Sequence, residues 1–234
     1  MAFKLSEMFF KELKIIDELQ IDLRKFKVFL KRINESLVEL TKVINEVRAE
    51  SKLINIPYDG GVVLKPMPPL YAPVEVKCLL IKLEKPVYMK PYGATRVLIK
   101  LPIDVVIETG GVVVDTLPLS TVKLSLYGPP DFGELARYID STIINEVPQE
   151  LLGLMTLYIE NKSSEPTTLS KVVIPLSGLA VSVSDNGEFL FNDVMATISR
   201  GLVEVNVRKE ITTVAKIKFL VMGKDYTYVM KFGY

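Results

Sequence analysis

Apolar positions in the first fifth of the chain fall at alternating intervals of three and four. Ile16, Leu19, Leu23, Phe26, Leu30, Ile33, Leu37, Leu40, Ile44 and Val47 keep that spacing, which on a helix gathers them into one a/d seam. Residues 1–56 contain neither Gly nor Pro, and Ser36 followed by Glu39 fits a capping box ahead of good helix formers. The pattern predicts a helical N-terminal arm over 1–56, with helix over Asn34–Lys52. A second period runs through the same residues. Leu19, Ile21 and Leu23 alternate with Gln20 and Asp22, and Phe26, Val28 and Leu30 alternate partly with Lys, as half-buried strands do. Residues 15–31 therefore read as helix or as strand. A lone helix of ~45 residues would extend ~68 Å and protrude from a globule. Protruding seams dimerise or dock, so Leu23, Phe26, Leu30, Ile33, Leu37, Leu40, Ile44 and Val47 form the expected oligomer or partner seam.

From Pro57 onward the pattern changes. Tyr58-Asp59-Gly60-Gly61 and Glu108-Thr109-Gly110-Gly111 each precede a Val-Val run, and paired Gly supplies the positive φ that tight hairpin turns need. Short runs at Leu79–Leu83, Arg96–Leu101, Val105–Ile107 and Thr121–Leu126 have the rhythm of a β-sandwich. Leu64–Pro73 holds Pro66, Pro68, Pro69 and Pro73 and is predicted to be an extended, hydrogen-bond-poor connector or an edge. Asp131 as an N-cap, with Leu135, Ile139 and Ile143 at helical spacing, predicts a connecting helix over 131–148. Strand-like segments then run from Leu154–Glu160 to Thr213–Val221 and Tyr226–Phe232, with turns at Asn161–Ser164 and Asp185–Gly187. The expected architecture is mainly β: two Ig-like antiparallel β-sandwich units, at 57–130 and 149–234, joined by a short helix and preceded by the arm. The two Gly-Gly-Val-Val runs hint at a repeat, although two hairpin turns would look the same.

Composition works mostly by exclusion. Lys plus Arg is 29 against 28 for Asp plus Glu, so no broad field of one sign gathers nucleic acid or an anionic membrane. The chain has no His, which removes Ser-His-Asp and Cys-His chemistry and His-ligated zinc or iron. The lone Cys78 sits in an apolar run and fits a reducing compartment. No stretch reaches the ~18 apolar residues of a membrane span, and Lys4, Glu7, Lys11 and Glu12 stand where a signal peptide needs an apolar core. These features predict a cytoplasmic protein that is not integral to a membrane. The absence of His and Trp beside abundant Val, Ile, Lys and Glu is the bias of a thermophile.

Several short stretches have a familiar order. They are Lys65–Pro73, Leu83-Glu84-Lys85-Pro86-Val87, Pro91-Tyr92-Gly93, Leu101-Pro102-Ile103-Asp104 and Leu126-Tyr127-Gly128-Pro129-Pro130. Gly133, Arg137, Tyr138 and Ser141 follow, and Tyr158–Ser163 and Val172–Pro175 lie downstream. In these pieces the chain resembles the archaeal domain-of-unknown-function family DUF 432. The resemblance implies an archaeal source and a more strand-like start to the chain, and it supplies no mechanism.

Candidate chemistry is sparse. Tyr127, Gly128, Asp131, Arg137, Tyr138 and Ser141 form the expected ligand-binding cluster, with the Arg137 fork suited to a carboxylate or phosphate. The competing reading pairs Arg137 with Asp131 or Glu134 and uses the tyrosines as packing. Ser141 lacks a histidine base and is not expected to be a nucleophile. Asp104, Glu108 and Asp115 offer oxygen ligands for Mg²⁺ or Ca²⁺, but in a strand Asp104 and Glu108 would lie ~13 Å apart, and solvated strand residues are the simpler reading. Arg24, Lys25, Lys27, Lys31 and Arg32, with Phe26 and Phe29, could touch RNA, although Asp17, Glu18, Asp22 and Glu35 dilute that charge. No cofactor, metal or catalytic residue is expected. The leading expectation is a non-catalytic interaction or assembly module, self-associating as a homodimer or holding a protein partner. A small-ligand module or His-independent enzyme, and a ribonucleoprotein or membrane-complex accessory, are the alternatives.

Overall fold

A computed structural model describes residues 8–23, 25–71, 74, 76–129, 131, 133–144, 151–176, 178–208 and 227–230. Its strands in chain order begin with β1 Glu12–Lys14, β2 Glu18–Leu23, β3 Phe26–Arg32, β4 Leu37–Ile44, β5 Val47–Asn55, β6 Gly61–Met67 and β7 Cys78–Met89. Then come β8 Ala94–Pro102, β9 Asp104–Thr109, β10 Val112–Pro118, β11 Leu124–Tyr127, β12 Glu134–Ser141 and β13 Ile143–Ile144. The remainder are β14 Leu152–Asn161, β15 Thr167–Pro175, β16 Val181–Val183, β17 Phe189–Phe191, β18 Val194–Ser199, β19 Leu202–Val207 and β20 Thr227–Met230. No described residue lies in an α-helix, and among the described residues no helix is long and apolar enough to cross a membrane.

The chain divides into two compact units, one of Met1–Pro66 with Asp104–Leu119 and one of Met67–Ile103 with Ser120–Tyr234. The segment expected as an arm is thus part of a domain. In the first unit β2, β3, β4 and β5 form an antiparallel sheet, with Leu23 opposite Phe26 and Leu30 opposite Leu40. The helix expected over Asn34–Lys52 is corrected to this meander. Ile21 and Val28 stand outside the a/d seam yet are fully buried, which the period of two explains and the heptad does not. Leu23, Phe26, Leu30 and Leu40 are buried too, while Ile33 and Val47 are exposed and Leu37 and Ile44 half-buried. The seam is therefore divided between the core and the sheet's margins.

The hairpins were hidden because neither Gly nor Pro marks them. Asn45 and Glu46 take φ of 48° and 67° between β4 and β5, and Asn is among the non-glycine residues that tolerate this region best. Between β3 and β4 the Asn34 Oδ1 accepts the Ser36 and Leu37 amides at 3.0 and 2.9 Å. Such an Asx turn needs no glycine. Glu39 caps no helix; its Oε1 accepts the Ser51 hydroxyl at 2.6 Å and an Arg48 N–H at 3.0 Å across the β4–β5 pair.

The unit's other sheet has the order β1-β6-β9-β10. Here one of the two Gly-Gly signals holds: Gly110 and Gly111, at φ 54° and 81°, turn β9 into β10, whereas Gly60 and Gly61 take no positive φ and lead from β5 into a strand of a different sheet. The expected connector starts later than Leu64, since Leu64–Met67 completes β6.

In the second unit β11, β12, β7 and β15 form one sheet, and β13, β8, β14, β18, β19 and β20 another, with the β16–β17 hairpin beside β14. The expected helix after Asp131 is strand β12, antiparallel to β11 and parallel to β7. Leu135, Ile139 and Ile143 are four apart, an even spacing that also keeps one face of a strand. The remaining part of that expected helix, 145–150, falls outside the described residues, as does Thr213–Val221. Parallel pairing recurs where β14 meets β17 and β18, so the sheets are mixed where antiparallel ones were expected. The unit buries Leu79, Ile81, Leu157, Val173 and Val205 in its core.

Candidate functional site

The cluster expected around Arg137 does not converge on one face. Arg137 is fully buried on β12 and donates to the Tyr71 carbonyl at 3.1 Å and the Ser120 hydroxyl at 2.8 Å. Ser141 lies on the same inward face and donates to the Lys100 carbonyl at 2.8 Å. Tyr138 projects from the opposite face and donates to Asp140 Oδ1 at 2.6 Å. That hydrogen bond, with burial second, pushes the Tyr138 phenol up to about 12 and leaves it protonated. Asp140 is held below the usual carboxylate range, first by Tyr138 and then by Lys123. Tyr127 is buried, Asp131 is exposed, and Gly128 takes φ 110° in the turn between them. Burial, and then Glu134, push the Cys78 thiol up to about 12.

The other sequence candidates are held by their neighbours. Glu108 takes the Lys65 ammonium at 2.7 Å, and Asp115 takes Lys42 at 3.0 Å and Lys52 at 3.2 Å, while Asp104 is fully buried. In the basic cluster, Lys27 pairs with Glu46 at 2.7 Å and Phe26 is core. Arg32 directs its fork inward, donating to the carbonyls of Ile15, Ile56 and Pro57 at 3.0, 3.1 and 3.2 Å. Arg24 lies outside the described residues.

Open polar groups gather elsewhere. Three loops of the second unit meet: Lys90–Gly93 between β7 and β8, Lys162–Pro166 between β14 and β15, and Arg200–Gly201 between β18 and β19. They enclose a groove of about 620 Å³. Asn161 is the fastening. Fully buried, it donates through Nδ2 to the carbonyls of Lys90 and Glu165 at 3.1 and 2.8 Å, and its Oδ1 accepts the Ser163 amide and hydroxyl at 3.0 and 2.7 Å. The Tyr92 amide donates to the Ser163 carbonyl at 3.2 Å, and the Lys162 amide to the Ile198 carbonyl at 2.8 Å. The first two loops are thereby tied to each other, and Lys162 is tied to β18 just ahead of the Arg200–Gly201 turn, so most of the groove wall is set before any ligand arrives.

The lining is cationic and rich in hydroxyls. Lys162, Ser164, Thr167, Ser199 and Arg200 face it, and Tyr92, 74% exposed, stands at its edge. Arg200 and Gly201 form a two-residue hairpin with φ of 50° and 74°. Such turns favour Asn-Gly, so arginine occupies a position that a smaller residue would fill with less strain. Among the described residues no hydrogen bond or ion pair engages the Arg200 guanidinium. Lys162 keeps a loose pairing with Glu160 at 3.5 Å. Such an arrangement can clamp an oxyanion and lay a flat group on an aromatic face.

Sequence reading missed this site because its three loops lie far apart along the chain. It recognised Asn161–Ser164 as a turn and Pro91-Tyr92-Gly93 as a family stretch, without bringing them together. The available signal was an Arg-Gly pair where hairpins prefer Asn-Gly.

No curated protein and no solved structure matches the chain. Residues 9–221 match the family described as Protein of unknown function (DUF432), a span that takes in all three groove loops. The chain therefore belongs to the DUF432 family.

Proposed function

We propose that the chain is a non-catalytic recognition module that works through the loop groove of its second unit, in the reducing cytoplasm of a thermophilic archaeon. One contrast carries this reading. The side chains best suited to chemistry, Cys78, Arg137, Tyr138 and Ser141, are buried, bonded or kept protonated, whereas Arg200 and the groove hydroxyls face open space. Loops tethered on a rigid β scaffold are a common way to present a binding site. The seam residues first expected to drive dimerisation are not proposed again as a unit, because Leu23, Phe26, Leu30 and Leu40 are spent on the core. The RNA reading loses Arg32 and Phe26 in the same way.

Affinity capture from native extract tests the reading, with wild type compared with Ser164→Trp, a variant that fills the groove from an exposed position. A partner retained by wild type and lost by Ser164→Trp supports it. Equal capture by both proteins, or turnover of a substrate abolished by neutralising a carboxylate elsewhere, overturns it.

A further inference from the structure

We infer that the groove recognises an oxyanion, a carboxylate or phosphate, with Arg200 as the clamping fork, Lys162 as the second charge and Tyr92 as the platform for the ligand's body. This rests on the recognition reading above and names the chemistry of the same site.

The charges set the sign of the ligand. Lys162 and Arg200 line the groove beside one acidic lining residue, Glu165; Lys162 shares its charge with Glu160 at 3.5 Å, so the Arg200 guanidinium is the charge left open to a ligand. Ser164, Thr167 and Ser199 add hydroxyl donors, which suit an acceptor-only group. A guanidinium matches a carboxylate or phosphate with two parallel hydrogen bonds, a geometry an ammonium cannot copy. The platform sets the shape. Tyr92 has φ 54° and is 74% exposed, so the loop holds a large ring out of the core on the groove that Lys162 and Arg200 also line, where it can stack on a flat or aliphatic body.

Size and surroundings argue against a nucleic-acid track. About 620 Å³ falls within the ~300–1,000 Å³ range of pockets for small molecules. The whole chain carries a net charge of only +1, while backbone tracking along a strand needs an extended basic groove.

The test uses the full chain and isothermal titration with three probes: inorganic phosphate, citrate and phosphotyrosine. Saturable one-site binding, weakened by added salt, is expected. Phosphate against citrate distinguishes the two oxyanion sources. Arg200→Lys should weaken binding about tenfold or more, since the bidentate fork is lost. Lys162→Gln should weaken it several-fold, and Tyr92→Ala should lower phosphotyrosine affinity while leaving inorganic phosphate unchanged. Arg200→Asn is the decisive variant. Asn suits the positive-φ turn, so this protein should melt at or above the wild-type temperature and yet lose binding. No saturable binding of any probe, or binding unaffected by Arg200→Asn, overturns the inference. If Ser164→Trp abolishes partner capture while Arg200→Asn preserves it and no anion binds, the oxyanion inference fails and the recognition reading stands. If neither substitution changes capture, the recognition reading fails.

Discussion

Lys42 and Asp115 are 73 residues apart in the chain, and the ammonium of one lies 3.0 Å from Oδ1 of the other. The Asp115 side chain is 7% exposed, and it also takes Lys52 at 3.2 Å and the Thr116 amide at 2.7 Å. Lys42 reaches Glu50 at 2.5 Å as well. Removing one member of such a network strands charge that is largely out of water. Asp115→Ala should cost about 3 kcal/mol in urea unfolding. The double variant Lys42→Met with Asp115→Leu should recover most of that loss, because it removes the charges together.

The same network sets how stability depends on pH. Burial opposes the Lys42 charge, but hydrogen bonds to Glu50 and Asp115 outweigh it and raise its pKa above 10.5. A raised lysine pKa stabilises the fold fully below the unfolded value, and the contribution vanishes as pH rises through the folded one. Glu50 is lowered from 4.5, chiefly by its hydrogen bond from Lys42, so its contribution is present above that value and lost in acid. Urea midpoints should therefore fall at both alkaline and acid extremes. Lys42→Met should flatten both flanks; steep flanks surviving in that variant would assign them to other groups.

What the sequence made legible depended on its punctuation. Gly110-Gly111 and Asn186-Gly187 announced their hairpins, and each occurs where expected, with Gly187 at φ 81°. The Asn45-Glu46 hairpin carries no glycine, so Leu37–Asn55 kept a helical appearance although Val38 and Leu40 face the core as strand neighbours. Intervals of three and four are easy to satisfy in a stretch this apolar, and buried residues outside the heptad, Ile21, Val28 and Val38, betray the true period. Arg137 stood out in the sequence as a candidate ligand clamp, but its inward direction depends on β7 and on Tyr71, which local pattern does not bring to β12. The groove depended on three hairpin ends meeting, a property of sheet order that no single segment encodes.

Arg137 is expected to be structural. Its fork satisfies the Tyr71 carbonyl and the Ser120 hydroxyl inside the unit, so truncation takes a donor from both groups and opens a cavity. Arg137→Ala should destabilise by about 3 kcal/mol or more. Arg137→Lys should restore little, because a compact ammonium cannot span both acceptors. Thermal unfolding of the three proteins decides this; a fully stable lysine variant would show that the fork is dispensable.

Two groups should titrate unusually late. Cys78, at about 12, should resist alkylation in the native protein near pH 8 and react once unfolded. Tyr138, also near 12, should ionise late in a spectroscopic titration, read as the difference from Tyr138→Phe. Asp140→Asn removes the anion that keeps the phenol protonated, so the Tyr138 step should move down toward 10. An unmoved step would mean that burial, not Asp140, sets it.

Gly153 offers a test in which two general rules predict opposite signs. Glycine inside a strand costs roughly 0.5–1 kcal/mol relative to alanine through its backbone freedom, so Gly153→Ala in β14 would ordinarily stabilise. Here a methyl group at Gly153 would meet the Phe191 ring, whose Cδ2 lies 2.7 Å from the ideal Cβ position. Phe191 is 2% exposed on β17, the parallel neighbour of β14, and a ring enclosed in that way has nowhere to swing. Overpacking should win, and Gly153→Ala should destabilise by about 1–3 kcal/mol. Phe191→Leu alone should also destabilise, by lost packing, yet added to Gly153→Ala it makes room for the methyl. The double variant should therefore be more stable than the sum of the single losses, by about 1 kcal/mol in a urea cycle. Simple additivity would mean that the ring yields without cost, and a more stable Gly153→Ala would mean that backbone entropy outweighs the clash.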